Sequence, residues 1–332
     1  MGMKKGVVIK VAWALIICAA GVVLGHLIWP ATKGPASAQA PSGQVRANLP
    51  QYKFINPLLY SENDRSAEPE FQALASQIGS YVSSAEKNGS AKSISVYFRD
   101  LNTGRWTGVD EDELYAPSSM LKVMAMIAAL KLAEQDPAIL SEKLYYHRSG
   151  QDNTYYFKAD DNVTDGYYTL SDLIGIMIKH SDNDAFNAIV GDPKINASFT
   201  EMYLLFGLPE RGLEGSDKDF MSPKSFSTIF RTLYNSSLFE WNLSEQVLDL
   251  LSQTTFKQGL VDGVPASTTI AHKFGENVGE LHDCGIVYHP GNPYLLCVMT
   301  RGTDMSKLES VISGISEIAW DFAEAGDIVK NK

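Results

Sequence analysis

The chain has 332 residues, 45% hydrophobic and 20% charged, with a formal net charge of -11. That is enough apolar material for one sizeable core. The acidic balance, with no run of Lys and Arg and no nucleotide-binding glycine loop, argues against a nucleic-acid partner.

In chain order, residues 1–30 come first, where Lys4, Lys5 and Lys10 precede an apolar stretch from Val11 to Trp29 just long enough to span a bilayer. The basic flank places that end in the cytoplasm and the rest outside it, as a single-pass membrane anchor. The small residues Ala36, Ser37 and Ala38 leave open a cleaved signal segment and a secreted protein. Residues 31–65, with Pro35, Pro41, Pro50 and Pro57 among small and polar side chains, read as a stalk. The folded domain is expected over 66–332.

Within it, Phe71, Leu74, Ala75, Ile78 and Val82 recur at helical spacing until Gly89. "SISVYFRD" and "GRWTGV" then read as strands around a turn. From about 115 to 260 the pattern is mostly helical, including "TLSDLIGIMIKH", which Thr169 should cap. Strands return at "STTIAHKF", "DCGIVYH" and "YLLCVMTR", and a last amphipathic helix carries Leu308, Val311, Ile312, Ile315 and Phe322. Strands from both ends and helices between them predict an α/β fold: a mainly antiparallel sheet flanked by terminal helices, plus an all-helical lobe. A ligand cleft belongs between the lobes. Cys284 and Cys297 suit facing positions on a hairpin, as a disulfide or as two buried thiols.

Ser119 and Lys122, in "YAPSSMLKVMAM", form an S-x-x-K pattern at the start of an apolar helix. Residues at i and i+3 share a face, and a helix start supplies free N–H groups, so a serine there has both a base and oxyanion donors within reach. Alone, the pair is equally a helix-start serine beside a solvated lysine. A second copy, Ser84 and Lys87, lies on a polar helix face and shows how cheap the pattern is. Two further elements follow in order: Ser181-Asp182-Asn183 between two helices, and Lys273-Phe274-Gly275 where a lysine leaves a strand. Each alone is unremarkable.

Together the three elements match the S-x-x-K, S-D-N and K-T-G set, and the region from about 68 to 325 resembles a class A β-lactamase-like, penicillin-binding serine hydrolase. The resemblance implies a β-lactamase-like fold and an acyl-serine mechanism that needs no cofactor or metal. In it Ser119 is the nucleophile, Lys122 its base, Ser181 a proton relay and Asn183 a substrate ligand. Lys273 holds Ser181 and the substrate carboxylate, and the N–H groups of Ser119 and Glu276 form the oxyanion hole. Substrates would be β-lactams or peptidoglycan-type peptides ending in D-Ala-D-Ala.

Two departures qualify it. Phe274 stands where the family has Thr or Ser, so a hydroxyl for the substrate carboxylate is absent. No E-x-x-L-N glutamate follows S-D-N; Glu210, Glu214, Asp217 and Asp219 are the nearby carboxylates in a shortened loop. Acylation is therefore expected to be intact and deacylation slow, as in D,D-peptidases. The rival is a non-catalytic cell-wall-binding or scaffolding protein on the same fold. His180, His272, His282 and His289 fit no metal-ligand spacing. Tyr155, Tyr156, Tyr167 and Tyr168 suit either a cleft wall or a cover for the helical lobe.

Overall fold

Five strands form the central sheet: β3 (Ser93–Asp100), β4 (Trp106–Val109), β7 (Ile270–Asn277), β8 (Glu280–Val287) and β9 (Tyr294–Arg301). All neighbours are antiparallel, in the order β4-β3-β9-β8-β7. This is the computed structural model of the chain, which describes residues 44–47, 49–61, 69–150, 156–157, 162–209 and 218–326. The expected anchor or signal segment lies outside the described residues, among which no helix is long and apolar enough to cross a membrane.

Side chains alternate along each strand, so the sheet separates two cores. On β9, Tyr294, Leu296 and Val298 join a cluster with α1 (Pro69–Lys87) and α8 (Met305–Glu324), through Phe71, Leu74, Ile78, Leu308, Ile312 and Ile315. The alternate residues Leu295, Cys297 and Met299 face the helical lobe. At that lobe's centre is α2 (Leu121–Gln135), whose residues from Leu121 to Leu130 are all buried, as expected of a helix that is apolar all round. Around it lie α3 (Leu170–Lys179), α4 (Asn183–Val190), α5 (Pro193–Leu205), α6 (Pro223–Tyr234) and α7 (Trp241–Ser252). Thr169 caps α3 in a reciprocal box with Asp172.

Several expectations need correction. Within the expected stalk, residues 44–47 and 49–61 are among the described residues. The short strands β1 (Gln44–Arg46) and β2 (Leu58–Ser61) pair, and Phe54 and Ile55 are buried between them in sequence. The Glu245 carboxylate accepts the N–H groups of Lys53, Phe54 and Ile55 at 2.6, 2.8 and 3.0 Å. This segment is held by tertiary contacts without any periodicity, which is why its sequence reads as a stalk. Inside the helical block, β5 (Lys143–Tyr146) and β6 (Gly166–Thr169) form a hairpin. Lys273 lies in the middle of β7, because the polar run Glu276–Asn277 stays paired with Leu281 and Glu280. Cys284 and Cys297 face each other across β8 and β9 and are joined as a disulfide.

Candidate active site

Ser119 does not lie in the first α-turn of α2 but in a 3-10 turn, Ser118–Met120, that leads into it. Ser118 before it takes a left-handed backbone, φ 51°, a conformation non-glycine residues adopt at a cost and one that concentrates at functional sites. The approach to this turn is fixed from three sides. Tyr115 bridges to Met221, the Ala116 carbonyl lies 3.1 Å from His282 Nε2, and the Leu114 carbonyl accepts from Arg301 Nη2 at 2.6 Å. Arg301 also binds Glu280 and Asp219 at 2.7 and 2.9 Å.

Lys122 is buried and turned back over the turn. Its Nζ donates to Ser119 Oγ at 3.0 Å, to Asn183 Oδ1 at 2.6 Å, to Ser181 Oγ at 3.3 Å and to the Ser181 carbonyl. Ser181 joins α3 to α4 in a left-handed backbone, φ 56°. The next residue, Asp182, caps α4 through Ala185 N–H and accepts from Tyr146 Oη at 3.0 Å.

From the sheet side, Lys273 Nζ donates to Ser181 Oγ at 2.8 Å and to the Phe274 carbonyl at 2.9 Å. Burial, and then the Lys122 ammonium, push the Lys273 pKa well below its usual value, with Asp283 opposing in part. The hydroxyls of Ser119 and Ser181 are thus linked by two lysine side chains, of which Lys273 is held toward its neutral form. Such a network can take a proton from one serine and return it through the other.

Five sequence candidates, Ser119, Lys122, Ser181, Asn183 and Lys273, converge in this network. Gly275 touches it through backbone, since β7 passes against the Ser119 turn. The Phe274 side chain instead stacks on Phe256 at 4.2 Å between ring centroids and meets Phe157 edge-on at 4.9 Å, with Lys273 Nζ 4.1 Å from its own centroid. The Glu276 carboxylate accepts from the N–H groups of Tyr156 and Phe157. Ser84 and Lys87 are exposed on α1. Tyr146, His282 and Arg301 have no local sequence signal, because their partners lie 36, 166 and 187 residues away. His272 and His289 are spoken for by Asp283 and Glu324, each at 2.8 Å. Among the loop carboxylates Asp219 is held by Arg301, and Glu210, Glu214 and Asp217 lie outside the described residues.

The model of the Beta-lactamase enzyme family matches residues 73–323, three quarters of the chain. The chain belongs to that family. Relatives include Beta-lactamase CTX-M-8 of Citrobacter amalonaticus, 25% identical over 75% of this chain and 90% of its own, and a Beta-lactamase of Streptomyces fradiae, 25% identical over 68% and 79%. Among solved structures, PBP-A superposes with a TM-score of 0.66 at 20% identity, over 80% of this chain and 99% of its own. A class A beta-lactamase from Mycobacterium abscessus gives 0.62 at 22%, over 76% and 99%. The fold is the β-lactamase fold, and the chain is a serine hydrolase whose family activity is β-lactam hydrolysis.

Proposed function

We propose that this β-lactamase-family protein is an extracytoplasmic penicillin-binding acyl-hydrolase in which Ser119 is the nucleophile and release of the acyl group is slow. The observation that carries the reading is the 3.0 Å contact from Lys122 Nζ to Ser119 Oγ, with Ser181 Oγ shared between Lys122 and Lys273. The reactive form has Lys122 as the free amine, having lost the proton it carries in the resting site, and its Nζ takes the Ser119 proton as Oγ bonds to the amide carbonyl carbon. The carbon–nitrogen bond then breaks, and the proton passes through Ser181 to the leaving nitrogen. The N–H groups of Ser119 and Glu276 receive the developing oxyanion, and Asn183 orients the substrate amide.

Deacylation needs a water and a positioned base. The chain lacks an E-x-x-L-N glutamate, and Asp219 is committed to Arg301. This balance fits peptides ending in D-Ala-D-Ala, or β-lactams that mimic them, better than rapid drug destruction. A solved structural neighbour, a mutant of PBP-A, is an acyl-enzyme complex with penicillin G. The Cys284–Cys297 disulfide supports an oxidising location.

The loss of the K-T-G hydroxyl at Phe274 favours, as a second reading, a wall-binding protein on this fold. Labelling with a fluorescent penicillin separates the two. The Ser119→Ala variant should lose the label and Ser84→Ala keep it; an unlabelled wild type supports the binder.

A further inference from the structure

The connection from α7 to β7 touches both lobes beside the Ser181–Lys273 contact. On the helical side, Thr255 N–H and Oγ1 both donate to the Lys179 carbonyl, at 2.8 and 3.0 Å. An end carbonyl of α3, two residues before Ser181, is thus held from outside its own helix. On the sheet side, the next residue, Phe256, is fully buried and stacks on Phe274, the neighbour of Lys273, with ring centroids 4.2 Å apart and planes at 18°. Phe157 meets both rings edge-on, at 5.2 and 4.9 Å. The far end of the connection is pinned at Leu260, whose N–H donates to Asp283 Oδ2 at 3.1 Å and whose carbonyl accepts from Ser316 Oγ at 2.8 Å. Asp283 is fixed in turn by His272. Gly259 permits this approach: its backbone is left-handed, φ 64°, and a Cβ there would meet Asp283 Oδ2 at 2.9 Å.

We propose that Thr255 and Phe256 are positioning residues, which brace the two lobes at the spacing that brings Ser181 Oγ to Lys273 Nζ. The inference rests on the reading of Ser181 as the proton relay. That contact is 2.8 Å long, yet a lysine reaches its partner through a flexible stem, and Ser181 stands in a left-handed junction between two helices. Neither end sets the distance by itself. A main-chain hydrogen bond one residue away from a buried ring stack does, because close-packed rings yield little before other atoms must move. Phe256 belongs to the sheet-side core, as any buried phenylalanine there would; what sets it apart is that the residue before it holds the helix that carries Ser181. His272 and Asp283, buried and unused by the reaction, hold the far end of the brace.

The test pairs stopped-flow acylation of the full chain by benzylpenicillin with an NMR titration of its lysines, isotope-labelled at Cε, in which the Lys273 signal is the one missing from Lys273→Met. Phe256→Leu keeps apolar bulk and loses the stack. Its limiting acylation rate should fall by about tenfold, with the half-saturating concentration within about twofold of the wild type, since only the relay geometry changes. Lys273, reached by water as the spacing relaxes, should titrate about one pH unit higher than in the wild type. Thr255→Val, at an exposed position, removes one donor and should shift both readouts in the same direction, the rate by about threefold. It decides alone if Phe256→Leu does not fold. A wild-type limiting rate in the variants, or a Lys273 titration that does not move, overturns the brace. A wild type that never acylates sinks the active-site reading instead, and the Lys273 titration then decides the brace on its own.

Discussion

Gly275 passes so close to the nucleophile turn that a Cβ built on it would meet the Pro117 carbonyl oxygen at 2.6 Å and Met120 Cγ at 2.8 Å. The contact sets the separation between β7 and Ser119, and hence between the two N–H groups assigned to the oxyanion. A Gly275→Ala substitution must push them apart, because the Pro117 carbonyl is backbone and cannot rotate away. A displacement near 1 Å costs roughly a hundredfold in a positioned reaction. The second-order acylation rate with benzylpenicillin should therefore fall by about that factor while the folded protein persists. An unchanged rate would show that this approach does not set the oxyanion geometry.

Phe274 bears on substrate choice and on stability in opposite directions. Its ring occupies an aromatic stack with Phe256 and Phe157 instead of offering a hydroxyl to a substrate carboxylate. Phe274→Thr should raise the acylation rate for carboxylate-bearing β-lactams. It should also lower unfolding stability by about 2–4 kcal/mol, since it removes most of a buried ring. Stopped-flow acylation and urea unfolding measure the two effects. A loss of stability without any gain in rate would mean that another group already binds the carboxylate.

Lys273 links the site to pH. In the unfolded chain its amine stays protonated up to about the usual lysine value of 10.5, whereas burial and Lys122 make the folded chain release that proton well below it. Between those two limits the unfolded state binds more protons, so this group makes stability rise with pH. Urea midpoints compared from about pH 7 to about pH 10 should rise less steeply in Lys273→Met than in the wild type. Identical slopes would place the Lys273 titration elsewhere.

Much of this was legible in the residues because it is local. Ser119 and Lys122 are three apart, Ser181 to Asn183 are contiguous, and Thr169 stands where a helix cap belongs. The terminal helices were readable from their spacing, and Cys284 and Cys297 from their hairpin separation, although spacing alone could not choose between disulfide and thiols. What stayed hidden depends on distant partners. Phe54 and Ile55 look like stalk until Glu245 gathers their N–H groups. The run Gly275-Glu276-Asn277 has a turn's composition, yet its backbone is held in the ladder by β8. Arg301 shows no motif, but it ties the Ser119 approach to Asp219 and Glu280.

Ser119 should acylate readily and release its acyl group slowly, a behaviour that intact-protein mass spectrometry over time after mixing with benzylpenicillin reads out. One covalent adduct should form that maps to Ser119, is absent in Ser119→Ala and outlasts exhaustion of free drug. Rapid disappearance of the drug with only a transient adduct would contradict the slow release. No adduct at all would contradict the assignment of Ser119 as a penicillin-reactive nucleophile.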